Sequence, residues 1–455
     1  MNKVNLINPS QRLLTDFTSR IYAIVRLAAP VSVARLGMLV LVMVDTAMTG
    51  HFSTSELAFY SLAHAVHMVC MLIGVGMLIG TAVLSAQAVG AVAYAECGII
   101  WRVSVLHAIV LGCFFSGLAL ASVWFYDQIG FETGLANGAG RVVAILNFGL
   151  PGQLVYTAST LFLESLSRPG PGLAIIIAAN FVNAGLNWLL IEGEITLGAE
   201  GAAWATTISR WLIAVVAVIY ILRMKDARKF NVAGRLTEWR NIGKKLRSLG
   251  YPLGLAQGLE SAAFASLTLF AGHISDQAAG AFQIVMTMIA FCFMAAIGIG
   301  TATAVHVGMA IGRGNQRQMI LSGWAGLFTI TMFMAMMAGV INLFPNALAH
   351  IFTDDPALLI IVVPTLLVGS IILVCDGAQG VLMGALRGAG DVWVPTVLHL
   401  CAFLLVMVPA AGWLSLRTNL GTPGLMWGTL CGVTLAAVLL GWRFQIISNR
   451  PIGRL

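Results

Sequence analysis

Charge is scarce in this sequence. Asp, Glu, Lys and Arg make up 9% of its 455 residues, and hydrophobic residues make up 59%. Soluble domains carry about 25% charged and about 45–50% apolar residues, so an ordinary soluble domain is excluded. The net charge of +7 does not indicate nucleic-acid binding, because the basic residues fall in short loops on one side of the predicted membrane segments. The composition favours one membrane-embedded body.

Other signatures are also missing. The seven cysteines lie within or beside apolar stretches and form no C-x-x-C pair, which excludes a disulfide framework and a zinc site of that type. The sequence contains no nucleotide-binding loop of the form GxxxxGK[ST], which argues against ATP-driven transport by this chain alone. We therefore expect no bound cofactor.

Long apolar runs are what the chain does contain. Twelve of them are long enough to cross about 30 Å of hydrocarbon. They cover 21–48, 57–82, 99–124, 140–164, 172–192, 199–222, 250–273, 281–310, 319–345, 359–386, 394–416 and 423–445. Alternating ten-residue strands are absent from the sequence, and a lipid-embedded backbone must satisfy its own hydrogen bonds. The sequence predicts an all-α integral membrane protein with 12 transmembrane helices.

The longest polar stretch, residues 223–249, divides the chain near its midpoint. It holds nine of the 25 basic residues and only two acids, and basic loops beside apolar spans stay on the cytoplasmic side. Both termini are then predicted to be cytoplasmic. The predicted inner loops are rich in arginine, for example Arg168 and Arg387, whereas Asp354 and Asp355 lie in a predicted outer loop.

The two halves of the chain resemble each other. IGTA occurs at 79–82 and at 299–302, while LGAEGAAWAT at 197–206 corresponds to LGTPGLMWGT at 420–429. Pro30 and Pro252 are separated by a similar interval. Since six spans is an even number, both halves enter from the same side, which indicates a parallel repeat. We predict two pseudo-symmetric six-helix bundles, 1–222 and 250–455, joined by the basic linker 223–249.

Three acids lie within predicted spans: Asp45, Glu260 and Asp376. A charge at the centre of a membrane helix costs about 2.5–3.5 kcal/mol on insertion scales, and the spans contain no lysine to neutralise these acids. A carboxylate without a fixed partner binds a cation or takes up a proton. Two interpretations stand, an ion-coupling site or acids satisfied by hydroxyls and amides.

Other polar residues in the spans are weaker signals. Four amides could line a cavity or join helices, namely Asn180, Asn183, Asn187 and Gln283. Asn183 and Asn187 are spaced to share one helix face.

The sequence alone does not decide the roles of three further residues. Pro30 and Pro252 are candidates for helix kinks that act as moving parts or serve packing. Arg35 lies within the first span, where it either pairs with an acid or reaches toward the interface.

These residues also carry a family resemblance. The chain resembles the multidrug and toxic compound extrusion (MATE) family, NorM-like branch. The resemblance rests on VDTAMTGHFSTSELAFYSLA after Pro30, IGTAVLSAQAVGA in the second span, LRGAGD after the tenth span, and LGxxGxxW before the sixth and twelfth spans. It implies two six-helix lobes flanking a cleft, and efflux of varied cationic or amphipathic drugs driven by inward flow of Na⁺ or H⁺.

The resemblance also implies roles for particular residues. Asp45 corresponds to the family's first-helix acid, and Asn183 and Asn187 correspond to polar positions of the fifth helix. Glu260 and Asp376 correspond to acids that bind the coupling cation, Na⁺ in some members. Ile372 replaces a tyrosine found one turn before the tenth-helix acid in some sodium-coupled members, which leaves the choice between Na⁺ and H⁺ open.

We therefore predict a multidrug antiporter that works by alternating access and is not an enzyme. The expected partners are toxic small molecules and membrane lipid, without nucleic acid, for a chain that functions as a monomer in the inner membrane. A lipid-linked sugar flippase is the alternative, although it would need basic residues in the cleft, and mid-span bases are nearly missing. A membrane acyltransferase is a second alternative, hinted at only by His350 and Asp355 at H-x4-D spacing.

Overall fold

The computed structural model describes residues 9–129, 132–192, 196–235, 238–451 and 453–455. Helix accounts for 88% of the structure, and these described residues contain no β-strand. Within those ranges, twelve helical stretches are long and apolar enough to cross a membrane. The prediction of an all-α protein with twelve spans is confirmed.

The described residues of the first half of the chain form nine α-helices. They are α1 (Pro9–Phe52), α2 (Thr54–Leu78), α3 (Gly80–Gly90), α4 (Tyr94–Ala119), α5 (Ser122–Ile129), α6 (Thr133–Phe148), α7 (Leu150–Ser165), α8 (Gly170–Asn187) and α9 (Gly198–Arg223). α2 with α3, and α6 with α7, each form one continuous span. α8 continues into a π-helical turn at Trp188–Glu192.

In the second half, eight α-helices lie within the part of the chain that the structure describes. They are α10 (Trp239–Ile274), α11 (Asp276–Gly312), α12 (Gln316–Leu343), α13 (Pro345–His350), α14 (Pro356–Gly388), α15 (Trp393–Cys401), α16 (Val408–Leu416) and α17 (Gly421–Ser448). A π-helical segment, Ala402–Met407, joins α15 to α16 within the eleventh span. Single π-turns inside helices often accompany functional positions.

Several predicted boundaries differ from the structure by a few residues or more, and two of them change how a segment is described. The third span, predicted over 99–124, ends with α4 at Ala119, and a separate short helix α5 begins at Ser122. The basic segment 223–249 is not an extended linker throughout, because α10 already begins at Trp239. Its last part therefore forms the polar beginning of the seventh membrane helix.

The repeated motif LGxxG has the same backbone geometry in both halves. Gly198 and Gly421 are the first residues of α9 and α17, and their φ angles are +57° and +54°. Glycine adopts this left-handed conformation without steric cost. In the first half, the Glu56 carboxylate also accepts a hydrogen bond from the Ala199 backbone N–H at 2.8 Å, which satisfies a free donor at the start of α9.

The chain separates into two compact units. One comprises Met1–Ser32 and Ala262–Arg454, and the other comprises Val33–Ser261 with Leu455. The division therefore falls inside α1 and inside α10. The halves 1–222 and 250–455 predicted from the repeat are defined by sequence and remain a prediction.

Each unit contains a close helix approach based on glycine. In the Val33–Ser261 unit, a Cβ on Gly76 of α2 would lie 2.8 Å from the Gly254 Cα of α10. In the other unit, a Cβ on Gly298 of α11 would lie 2.8 Å from the Ala28 carbonyl oxygen of α1. Small residues let membrane helices pack backbone against backbone, so larger side chains at Gly76 or Gly298 would force these helices apart.

Many large apolar side chains lie on the outside of the helices. Trp124 is 66% exposed, Phe181 is 78% exposed and Trp413 is 63% exposed. Soluble proteins rarely present so much apolar surface, whereas lipid tails and the membrane interface accommodate such residues. The polar side chains described next are buried instead.

Candidate functional site

Asp45 is at the centre of a buried hydrogen-bond cluster in the Val33–Ser261 unit. It lies near the end of α1 and is fully buried. Its Oδ2 accepts hydrogen bonds from the Tyr60 hydroxyl of α2 at 2.9 Å and from the Thr206 hydroxyl of α9. Its Oδ1 accepts from Asn187 Nδ2 of α8 at 2.6 Å. One carboxyl group therefore connects four helices.

Two of the four predicted amides join this cluster. Asn187 Nδ2 also donates to Asn183 Oδ1 at 3.2 Å, one helical turn earlier on α8. Asn183 Nδ2 in turn lies 3.4 Å from the Thr206 hydroxyl. The structure thus brings Asn183 and Asn187 onto one face, directed at Asp45, and Thr206 completes a closed ring of hydrogen bonds.

The groups bonded to Asp45 are electrically neutral. Within the described residues, Asp45 forms no ion pair at 4.0 Å or less. Two hydroxyls and one amide donate to it instead. Hydrogen bonds to an ionised acceptor are stronger than neutral ones, so these donors stabilise the carboxylate without supplying a positive charge.

A second polar layer lies behind Tyr60. The Tyr60 ring stacks on the His64 ring, with 5.8 Å between the ring centroids. The centroids of the His64 and His67 rings are 6.3 Å apart. His67 Nε2 is 2.6 Å from Arg210 Nη1, and its Nδ1 is 3.1 Å from Asn147 Oδ1. Since an arginine only donates, His67 Nε2 must accept. We infer that His67 is neutral and that its Nδ1–H donates to Asn147.

Sequence reasoning overlooked Arg210. It lies in the middle of α9, one turn after Thr206, and is only 5% exposed. The signal was present in the sequence as a lone charge within the apolar stretch TTISRWLIAVV. Tyr60 and Thr206 were also missed, because a hydroxyl in an apolar span does not by itself predict an acid partner.

The other predicted residues lie elsewhere. Asn180 Nδ2 donates to the Gly37 carbonyl oxygen at 3.0 Å and so joins α8 to the middle of α1, away from Asp45. Gln283 on α11 is exposed. Pro30 and Pro252 lie within α1 and α10, which continue through both positions.

Glu260 and Asp376 belong to different units. Glu260 is half-buried near the point in α10 where the Val33–Ser261 unit ends, and Asp376 is half-buried on α14. Asp376 Oδ1 accepts from Gln379 Nε2 at 3.1 Å, and Gln379 Oε1 lies 2.9 Å from His399 Nδ1 of α15. A hydrogen-bonded path thus runs from Asp376 to the ring of a buried histidine.

Arg35 pairs with an acid, which settles the choice left open by the sequence. Its Nη2 lies 3.4 Å from Glu164 Oε1 at the end of α7. Both side chains are largely buried, with relative exposures of 15% and 5%. The pair joins α1 to the fourth span within the Val33–Ser261 unit.

His350 and Asp355 do not form a catalytic pair. His350 Nδ1 instead lies 3.1 Å from Asp354 Oδ1, and both side chains are exposed. Asp355 accepts from the Ala357 backbone N–H at 3.0 Å and so caps the beginning of α14. The H-x4-D spacing is explained by helix capping.

Twelve apolar helices with acids held in polar clusters define a multi-pass membrane protein of the transporter type. The MatE family model matches residues 30–189 and matches again over 252–411. The two matches begin 222 residues apart, which supports the internal repeat predicted from Pro30 and Pro252. The chain belongs to the MatE family.

Relatives with curated names support this assignment. A probable multidrug resistance protein NorM from Caulobacter vibrioides is 35% identical over 450 residues, which cover 97% of this chain and 94% of that protein. Another from Burkholderia pseudomallei is 30% identical over 430 residues, covering 92% of this chain and 91% of that protein. The resemblance to the NorM branch is confirmed.

Solved structures show the same fold. The crystal structure of the eukaryotic MATE transporter AtDTX14 matches with a TM-score of 0.86 at 20% identity, covering 95% of this chain and 96% of that chain. An outward-facing conformation of a multidrug resistance MATE family transporter of the MOP superfamily matches with a TM-score of 0.87, also at 20% identity, covering 94% and 96%. The fold is that of MATE transporters, and these relatives are transporters rather than enzymes.

Proposed function

We propose that this chain exports structurally varied cationic or amphipathic compounds in exchange for an inward-moving H⁺ or Na⁺. The proposal is supported by relatives that carry the name multidrug resistance protein NorM along almost the whole chain. It is also supported by polar clusters around buried acids in an otherwise apolar protein. Transport by alternating access of the two repeat halves completes the proposal.

One observation carries the coupling role of Asp45. Three side-chain donors from α2, α8 and α9 converge on its two carboxylate oxygens. An ionised carboxylate only accepts, whereas a protonated carboxyl is itself a donor at one oxygen. Uptake of a proton turns one of these oxygens into a donor, so a hydroxyl that donated to it must rotate and accept instead. Ion binding at Asp45 would thus change how α1 is held by three neighbouring helices.

That change supplies the link between ion and drug. A ligand shifts a conformational equilibrium only through its different affinity for the two states. Ionised Asp45 attracts a cationic drug and accepts all three hydrogen bonds, whereas protonated Asp45 carries no charge and requires the hydroxyls around it to rearrange. The proton would therefore favour the conformation that has released the drug. Glu260 and Asp376 are proposed as further acids that bind the coupling cation, Na⁺ or H⁺.

The cellular setting is part of the proposal. The protein is placed in the inner membrane with both termini on the cytoplasmic side and no resident cofactor. This orientation is supported by the basic residues of 223–249, because such segments remain cytoplasmic. The chain is proposed to work as a monomer surrounded by lipid.

Transport in everted membrane vesicles tests the coupling. Vesicles carrying the parent chain should take up the fluorescent cation ethidium when a proton gradient is imposed, or when a Na⁺ gradient is imposed, and the effective gradient identifies the coupling ion. Asp45→Asn should abolish uptake, since an amide cannot cycle a proton. Asp276→Asn, at an exposed acid that begins α11, is the matched control and should transport like the parent.

The result that contradicts the proposal is equally clear. If Asp45→Asn transports ethidium as the parent does under both gradients, Asp45 is not the coupling acid. If neither gradient drives uptake by the parent chain, antiport of such cations is wrong. Glu260→Gln and Asp376→Asn, tested in the same vesicles, show whether those acids carry the coupling instead.

A further inference from the structure

Arg210 is a buried cation whose hydrogen bonds go to uncharged groups. Its Nη1 donates to His67 Nε2 at 2.6 Å and lies 3.4 Å from the Leu146 carbonyl oxygen. Neither acceptor carries a negative charge. Burying a charge is costly unless an opposite charge compensates it. The structure must therefore supply a counter-charge to Arg210 beyond its direct hydrogen-bond partners.

Asp45 is the acid placed to do so. Thr206, which donates to Asp45, lies one helical turn before Arg210 on α9, and residues four apart are neighbours on a helix surface. On its other side, Arg210 donates to His67, whose ring lies beside that of His64, and the His64 ring stacks on Tyr60. Tyr60 also donates its hydroxyl to Asp45. The two charges thus act across one layer of hydroxyl groups rather than as a direct ion pair.

The other titratable groups near Arg210 do not compete for this role. His67 of α2 accepts from Arg210 and His64 lies beside His67, but neither histidine can supply a negative charge. On α9 itself, Glu200 pairs with Arg141 of α6 at 2.6 Å. Glu200 is ten residues from Arg210, or about 15 Å along the helix. Asp45 remains as the acid within this cluster.

The internal repeat provides an independent comparison. At the offset of Pro30 and Pro252, Asp45 corresponds to Leu267, and at the offset of the LGxxG motif, Arg210 corresponds to Val433. Both Leu267 and Val433 are fully buried. At these two positions the second half therefore has neither the acid nor the arginine, as expected if the charges of Asp45 and Arg210 depend on each other.

The intervening residues follow the same pattern. At the offset of the two IGTA motifs, residues 60, 64 and 67 of the first half correspond to Gly280, Ile284 and Thr287. None of these three can replace the ring-to-ring path between Asp45 and Arg210. The whole charged cluster is thus specific to the first half of the chain.

We propose that Arg210 is the internal counter-cation of Asp45 and a positioning residue for coupling, held in place by His67. The proposal rests on the role of Asp45 given above. The cluster is neutral when Asp45 is ionised and carries one positive charge when Asp45 is protonated. Protonation then disfavours binding of a cationic drug through this net positive charge. Arg210 thereby sets the pH at which the site changes from drug-bound to drug-free.

The test is the pH dependence of ethidium binding to the purified full chain, followed by fluorescence polarisation. Without the cation, the ionised carboxylate is less stabilised, so Asp45 takes up its proton at higher pH. Arg210→Gln should move the midpoint of binding upward by about one pH unit or more. Arg210→Lys keeps the charge and should stay much closer to the parent. Arg141→Gln, which removes an exposed arginine of the same unit, is the matched control and should not move the midpoint.

A double-mutant cycle separates this role from a purely structural one. In the Asp45→Asn background, adding Arg210→Gln should leave the pH profile unchanged, because the acid it acts on is gone. The double variant should also melt at a higher temperature than Arg210→Gln alone if that single variant is poorly folded. An unchanged midpoint in Arg210→Gln, a shift that persists with Asn at position 45, or a double variant less stable than both singles would overturn the proposal.

Failure here is distinguishable from failure of the proposed function. If Asp45→Asn binds and exports ethidium with the parent's pH profile, the coupling role of Asp45 itself is wrong. If Asp45→Asn removes the pH dependence while Arg210→Gln behaves like the parent, only the role of Arg210 is wrong.

Discussion

The surroundings of Thr206 and Thr429 show how two copies of one motif can differ in chemistry. Both threonines end the ten-residue repeat LGxxGxxWxT and lie at the same place in α9 and α17. The Thr206 hydroxyl donates to the Asp45 carboxylate, whereas the Thr429 hydroxyl donates to the Leu425 carbonyl oxygen of its own helix at 2.9 Å. The repeat duplicates the backbone, while the partner helix decides whether a polar site exists.

The second half has a polar cluster of its own, built differently. Asp376 accepts from Gln379 on the same helix, and His399 is the member that comes from another helix. Asp45 is fully buried and Asp376 is half-buried. Titration of Asp45 changes hydrogen bonds to three other helices and therefore affects helix packing directly. Titration of Asp376 first changes a hydrogen bond within its own helix, so its effect on packing is less direct. We infer that titration of the two acids would affect helix packing to different extents.

The largest expected effect comes from placing an acid at the position in the second half that corresponds to Asp45. Leu267→Asp would put a carboxyl group at a fully buried position. A buried charge without compensation costs about 3–5 kcal/mol, so little folded protein should be recovered. Size-exclusion chromatography and thermal unfolding of the purified protein measure the loss. Leu267→Met keeps the volume and should cost less than about 1.5 kcal/mol. Equal stability of the two variants would contradict the comparison.

An intermediate effect is expected at the paired threonines. Thr206→Val removes a hydrogen bond to a charged group and should cost about 1.5–3 kcal/mol, whereas Thr429→Val removes a bond within one helix and should cost about 0.5–1.5 kcal/mol. If the Thr206 hydrogen bond exists in only one of the transport conformations, its removal shifts the equilibrium between them. Ethidium export should then fall about tenfold for each 1.4 kcal/mol of that shift. Vesicle uptake and thermal unfolding of both variants provide the measurement. Equal loss of export in the two variants would show that the hydroxyl at Thr206 has no special role.

Much of the fold was predictable because it depends on local properties of the chain. Apolar length gave the twelve spans, and matching motifs gave the repeat that the family match later supported. Asp45, Asn183 and Asn187 were also identifiable, since a polar group in an apolar span stands out without any knowledge of its neighbours.

Their partners could not be predicted in the same way. Asp45 bonds to Asn187 and Thr206 across 142 and 161 residues of sequence, and the crossing of four helices determines which hydroxyl reaches it. Asn180 looked equivalent to Asn183 and Asn187, yet it lies about two turns before Asn187 on α8 and so meets the Gly37 carbonyl, about two turns before Asp45 on α1. Arg210 was readable as a lone charge, but only the structure shows that His67 accepts from it.

The smallest expected effects lie at two ion pairs, one in each half of the chain. Arg443 Nε lies 2.7 Å from Asp391 Oδ2, with side chains 16% and 15% exposed. Arg168 pairs with Asp226 in a more open position, where the side chains are 44% and 37% exposed. Water weakens exposed pairs more than enclosed ones. Asp391→Asn should therefore cost about 1 kcal/mol of stability, and Asp226→Asn should cost less.

The pH dependence of the weaker pair has a defined sign. The hydrogen bond from Arg168 holds the pKa of Asp226 below its ordinary value of 3.8. A carboxyl group with a lowered pKa in the folded state stabilises the fold above its unfolded value and loses that contribution as the pH falls through the folded value. The melting temperatures of the parent and Asp226→Asn should differ slightly at neutral pH and converge below pH 3.8. If the difference between the two melting temperatures grew as the pH falls, the neutral form of Asp226 would be the one that stabilises the fold. That result would contradict the role of the contact with Arg168.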